Sequence, residues 1–190
     1  MVKAIILDRD GTINIEKDYL HKIEDFEFEK GAKEGLKILS SLGYLLVVVT
    51  NQSGIARGYY KEEDLLILNG YIKDILLKDG VDIKAFYYCP HHLEKGIGKY
   101  KVDCNCRKPK TGMLDSAVKD FNIDRDKSFM IGDNISDVKA GLNAKITPIL
   151  VKTGHGLEHI KEAENLEVKT FETLYDFAMY LKKKEENNDF

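Results

Sequence analysis

The chain has no tryptophan, only three cysteines and three prolines, and no long apolar run. Three thiols are an odd number, which argues against a disulfide framework. In a reducing compartment they read better as metal ligands or as reactive or buried thiols. The longest apolar runs, such as Tyr44–Val49, fall far short of the roughly 20 residues that cross a bilayer. A surplus of positive charge is also missing. Lys and Arg number 29 against 32 Asp and Glu, a net charge of −3, which points away from nucleic acid. Met1-Val2-Lys3 leads directly into an apolar stretch and leaves no room for a signal peptide. The expectation is a cytoplasmic enzyme working on a small molecule, with neither a membrane nor a nucleic acid as partner.

What is present is a 190-residue chain with 43% hydrophobic and 32% charged residues, the balance of a globular domain. Short apolar runs at Ala4–Leu7, Tyr44–Thr50, Ile83–Tyr88, Ser128–Ile131 and Ile146–Val151 read as buried strands, with Leu166–Val168 a candidate sixth. Helical spacing separates them over 31–42, 61–78, 111–121, 135–142 and 171–182, with Thr111 a candidate N-cap. Strands alternating with helices predict an α/β fold, a doubly wound and mainly parallel sheet with helices on both faces. One domain is expected over residues 1–182, with a charged tail at 183–190 that frays.

The organising stretch is Ala4 to Asn14. Its strand stops at two carboxylates, Asp8 and Asp10, followed by Gly11, which permits a sharp turn. Ligands of open α/β sheets sit at the carboxyl ends of strands. Adjacent carboxylates repel unless a cation neutralises them, and Mg²⁺ prefers such hard oxygen ligands. One carboxylate can then act as a nucleophile toward phosphorus and the other as acid and base. The second strand ends in Thr50-Asn51-Gln52-Ser53 and the fourth in Gly132-Asp133. If these ends converge, Asp133 completes the Mg²⁺ site and Thr50 donates to phosphate oxygens. Lys108 and Arg107 supply cations for the far side of the phosphoryl group, and Arg57 reads either as a further phosphate contact or as a surface arginine.

A long segment, 89–110, lacks periodicity but holds every cysteine of the chain. Cys89, His91, Cys104 and Cys106 form a Cys₃His set suited to tetrahedral Zn²⁺, with His92 a rival to His91. A closed four-ligand site is structural. It would fold this loop and hold Arg107-Lys108 over the phosphate. His155 and His159 read as residues of a solvated face.

Taken together, Asp8-Arg9-Asp10-Gly11-Thr12, Thr50-Asn51-Gln52-Ser53, Cys89-Pro90-His91, Cys104-Asn105-Cys106-Arg107-Lys108-Pro109 and Gly132-Asp133 resemble the haloacid dehalogenase superfamily, within it the capless group of heptose bisphosphate and histidinol-phosphate phosphatases. The resemblance implies an aspartyl-phosphate on Asp8, acid and base work by Asp10, and stabilisation of the phosphoryl group by Thr50 and Lys108. It implies Mg²⁺ on Asp8, Asp133 and the Asp10 carbonyl, and zinc on the Cys₃His set. Glu16, Lys17, Asp18, Tyr19, Asn51, Gln52, Ser53 and Arg107 would contact substrate. A monomeric sugar-phosphate phosphatase in nucleotide-heptose supply for bacterial surface polysaccharide is the implied role. The chain departs from the group at Asn134, where a lysine is common. Histidinol phosphate is the alternative substrate, and a phospho-accepting receiver without turnover is a third reading.

Overall fold

A computed structural model describes residues 1–187. Six parallel strands form one sheet: β1 (Ala4–Leu7), β2 (Leu45–Asn51), β3 (Ile83–Cys89), β4 (Phe129–Gly132), β5 (Thr147–Val151) and β6 (Thr170–Phe171). Their order is β3-β2-β1-β4-β5-β6, every neighbouring pair parallel. The chain thus winds outward from β1 to β3, then returns across it to β4. This reversal places a crevice at the carboxyl end of β1.

The period-2 geometry of a strand sends alternate side chains to opposite faces. In β1 and β2, Ile5, Leu7, Leu46 and Val48 pack with α1 (Ala32–Ser41), α3 (Glu62–Lys78) and α7 (Leu174–Glu186). Ala4, Ile6, Val47 and Val49 pack on the other face against Met113, Leu114 and Ala117 of α4 (Gly112–Phe121) and Ala140 of α5 (Ile135–Asn143). Both faces are therefore apolar, and β1 is fully buried. Each such aliphatic side chain contributes about 1.5–3 kcal/mol on burial.

Two local expectations are corrected. Leu166–Val168 is not a strand. It is the turn that ends a short helix, α6 (Ile160–Asn165), with Glu167 at φ +56 and the Val168 N–H returning to the Ala163 carbonyl. The sixth strand lies two residues further on. The tail is helical through Glu186 rather than frayed from 183, because Glu185 pairs with Lys3 at 2.7 Å, a contact that joins the two ends of the chain. The expected tail residues 188–190 lie outside the described residues. Thr111 holds the N-cap position of α4 as expected, but its hydroxyl makes no capping bond and donates to Asp115 at 2.6 Å instead. Among the described residues, no helix is long and apolar enough to cross a membrane.

Only a loop, with one short 3₁₀ turn at Ile23–Asp25, separates β1 from α1, and no cap domain is inserted there. Residues 90–111 likewise hold a single 3₁₀ turn, at Gly98–Tyr100. These two loops flank the crevice.

Candidate active site

Asp8 follows directly from β1, and its N–H donates to the Ile131 carbonyl of β4 at 2.8 Å, so two strands fix it. Lys108 arrives from the cysteine-rich loop. The Asn51 side chain brackets its backbone, donating to the Lys108 carbonyl at 3.2 Å and accepting from its N–H at 3.0 Å. The ammonium meets three acceptors: Asp8 at 2.9 Å, Asp137 at 2.6 Å and the Val49 carbonyl at 2.8 Å. The carbonyl accepts a hydrogen bond, and the two carboxylates are ion-paired with the same ammonium. Against the cost of burial, the two carboxylates hold the Lys108 pKa above its ordinary value.

Asp10 has a separate set of partners. Arg9, fully buried, donates to both carboxylate oxygens at 2.8–3.1 Å and to the Leu20 carbonyl at 2.9 Å. Asn14 and Gln52 add donors at 3.0 and 2.8 Å. Two carboxylates two residues apart are thus given different environments, the usual device by which one fold assigns different roles to like groups.

Asp8, Asp133 and Asp137 bring carboxylate oxygens within 4.8 Å of one another. Burial, then the neighbouring carboxylates, raise Asp8 to about 7 and Asp133 to about 9. Asp133 is 2% exposed, and its carboxylate receives the His155 backbone N–H at 2.8 Å but no cationic side chain among the described residues. Such a donor set suits a hard divalent cation. The space is kept by glycines: a Cβ on Gly11 or Gly154 would stand 2.1 or 2.2 Å from an Asp133 oxygen, and both have positive φ. Asp137, not assigned a role from the sequence, is central here. It also caps α5, accepting the Asn134 N–H at 3.1 Å, and that double duty hides it among ordinary helix-start acids. Asn134, the departure from the lysine common in the group, is the N-cap, accepting from Ser136 at 3.0 Å.

The crevice is a cleft of about 420 Å³. Asp8, Asp10, Thr50, Asn51, Gln52, Ser53, Arg107, Lys108 and Asp133 line it, with Glu16, Asp18 and Tyr19 from the first loop. Tyr60, Asn134, Ser136 and His155 also line it; of these, Ser136 was not singled out from the sequence and His155 was expected on a solvated face. Burial raises the pKa of Glu16. Lys17 is not in the cleft wall; it pairs with Glu27 at 2.5 Å. Arg57 also stands outside the wall, its guanidinium 5.6 Å from the Tyr19 ring centroid.

At the edge of the sheet the Cys89, Cys104 and Cys106 sulfurs lie 3.0–3.5 Å apart, with His91 Nδ1 3.3 Å from Cys106 and 3.8 Å from Cys89. Burial pushes the Cys104 thiol up, but hydrogen bonds from Cys106, the Arg107 N–H, Cys89 and His91 together bring it down to about 6. Four soft donors around one point fit Zn²⁺. The rival His92 turns away and accepts the Glu94 and Lys95 N–H groups. Arg107 follows the last thiol and donates to the His91 carbonyl at 3.3 Å, so the cluster and the cleft wall share a backbone.

The comparisons with known proteins agree with this geometry. A family model described as HAD-hydrolase-like matches residues 105–177. The D-glycero-β-D-manno-heptose-1,7-bisphosphate 7-phosphatase of Pasteurella multocida is 55% identical over 155 residues, 81% of this chain and 84% of that protein. The chain belongs to the heptose-1,7-bisphosphate 7-phosphatase family of HAD-like hydrolases. An α-anomer phosphatase of the same family, from Photorhabdus laumondii, is 46% identical over 81% of this chain and 85% of its own length. The crystal structure of the D,D-heptose 1,7-bisphosphate phosphatase from B. bronchiseptica, complexed with magnesium and phosphate, matches with a TM-score of 0.86 at 28% identity, covering 96% of this chain and 99% of that one. The family's phosphatase fold and the expected α/β sheet are those observed here.

Proposed function

We propose that the chain removes the C7 phosphate of D-glycero-D-manno-heptose 1,7-bisphosphate, dependent on Mg²⁺ and by way of an aspartyl-phosphate. The observation that carries this reading is the separation of Asp8, held by Lys108, from Asp10, held by Arg9, Asn14 and Gln52. A nucleophile and an acid are thereby kept distinct within three residues.

An Asp8 oxygen attacks phosphorus as the bond from phosphorus to the sugar oxygen breaks, and Asp10 gives that oxygen its proton. Asp10 then takes a proton from water, whose oxygen attacks the phosphorus of the acyl phosphate and returns Asp8 as a carboxylate. Thr50 and Lys108 donate to the phosphoryl oxygens, where positioning and electrostatics supply most of the rate. Mg²⁺ held by Asp8, Asp133 and the Asp10 carbonyl would offset the charge gathered there. Glu16, Asp18, Tyr19, Asn51 and Ser53 face the sugar. Arg107, in the same wall, suits the second phosphate and disfavours the ammonium of histidinol phosphate. One chain supplies the whole cleft, so a monomer suffices. The product would feed nucleotide-activated heptose for surface polysaccharide such as lipopolysaccharide.

The test is phosphate release in Mg²⁺ from α- and β-heptose 1,7-bisphosphate and from histidinol phosphate, with Asp8→Asn as blank. Turnover of a heptose bisphosphate, lost in the blank, is expected. Preference for histidinol phosphate, or turnover that survives in the blank, would overturn the reading.

A further inference from the structure

Gln52 was expected to contact substrate, yet every polar atom of its side chain is already engaged within the protein. The side chain is buried. Its Nε2 donates to Asp10 Oδ2 and to Thr50 Oγ1, each at 2.8 Å. A primary amide has two hydrogens, and both are used. Its Oε1 accepts the Tyr60 hydroxyl at 2.5 Å. The orientation of the amide is set by chemistry: turned over, it would bring Oε1 against the Asp10 carboxylate.

Tyr60 is itself fixed. It is 6% exposed, and its ring stacks on His21 at 4.7 Å with a 6° angle between planes. Its other side fits against Gly54, where a Cβ would stand 2.2 Å from a ring carbon. Below the amide, the Gln52 backbone N–H donates to the Cys89 carbonyl at 2.8 Å, at the end of β3. The amide is therefore held from both sides.

What it holds are two groups of the proposed reaction. It fixes one oxygen of Asp10. By occupying an acceptor site of the Thr50 hydroxyl, it also leaves that hydroxyl's own hydrogen without an acceptor among the described residues, in the wall of the cleft. We infer that Gln52, oriented by Tyr60, is a positioning residue that aims the Asp10 carboxylate and the Thr50 hydroxyl, and is not a substrate contact. The inference rests on the phosphatase reading for the roles of Asp10 and Thr50, while the bonding of the amide stands apart from it.

The test uses Tyr60→Phe, which keeps the ring between His21 and Gly54, and Gln52→Met, of similar length. Loss of one hydrogen bond corresponds to about a tenfold effect, so Tyr60→Phe should lower kcat about tenfold and Gln52→Met more, with KM unchanged. A raised KM at constant kcat would make Gln52 a substrate contact and overturn the inference. The second readout is the NMR signal of the Gln52 side-chain NH₂ in the whole protein. Slow exchange with solvent, already present without phosphate and lost in Tyr60→Phe, is expected. Fast exchange in the unaltered protein, or protection that arises only when phosphate and Mg²⁺ are added, would refute it. If the unaltered protein releases phosphate from none of the sugar phosphates, the functional reading fails, and the NMR result alone decides the bonding of Gln52.

Discussion

The Lys108 ammonium lies 2.6 Å from Asp137, and both side chains are 1% exposed. With Asp8 at 2.9 Å, one cation serves two carboxylates, and Asp133 stands beside them. Lys108→Met removes the only side-chain cation of this group among the described residues. Breaking a buried pair from one side costs about 3–5 kcal/mol. Chemical denaturation of the metal-free protein at neutral pH should show a loss of that order, and phosphate release should fall by at least about a hundredfold.

The same carboxylates make the metal-free protein sensitive to alkali. Asp8 at about 7 and Asp133 at about 9 hold protons that the unfolded chain, at 3.8, gives up. Between these values the native state binds more protons, so stability falls as pH rises from about 4 toward 9. Mg²⁺ takes the deprotonated forms, so its stabilisation grows over the same range. Thermal melts with and without Mg²⁺ should show a larger increment at pH 8.5 than at pH 5, about 2–4 °C for each kcal/mol gained. An equal increment at both would count against these carboxylates as the metal site.

Gly11 has φ +74 and no room for a Cβ beside Asp133. Gly11→Ala should displace the Asp133 carboxylate, weaken Mg²⁺ binding at least about tenfold by calorimetry, and destabilise the fold by about 1–3 kcal/mol.

Elemental analysis should find one zinc per chain, and Cys106→Ser should lose it. Because Arg107 and Lys108 follow Cys106 directly and Arg107 bonds the His91 carbonyl, zinc loss should also lower phosphate release. Activity unchanged in a zinc-free Cys106→Ser protein would separate the cluster from the cleft.

Strands β1, β2 and β4 are legible in the sequence because both their faces are buried, which leaves plain apolar runs ending in polar residues. Asp8, Asp10, Thr50 and Asp133 fall at those ends, and the four zinc-type ligands are conspicuous by their rarity. Other features depend on partners distant in sequence. Asp137 looks like any acid in a first helical turn until Lys108 is placed against it. The last turn of α7 has a run of charges whose long-range partner, Lys3, bonds Glu185 from 182 residues away. Gln52 has the composition of a substrate contact, and only the positions of Tyr60, Asp10 and Thr50 show where its hydrogens go.

The Lys108 ammonium is already paired with two carboxylates and bonded to a carbonyl before any anion arrives. A phosphate that approaches Lys108 competes with those carboxylates for it. Weakly basic ions such as chloride compete poorly in such an exchange, and a doubly charged phosphate ester competes well. When Asp8 is the group displaced, the exchange also releases a carboxylate oxygen beside the incoming phosphorus. Selectivity among anions and the unmasking of the nucleophile would then be one event, set by how the loop of residues 89–110 delivers a single lysine to the end of β1.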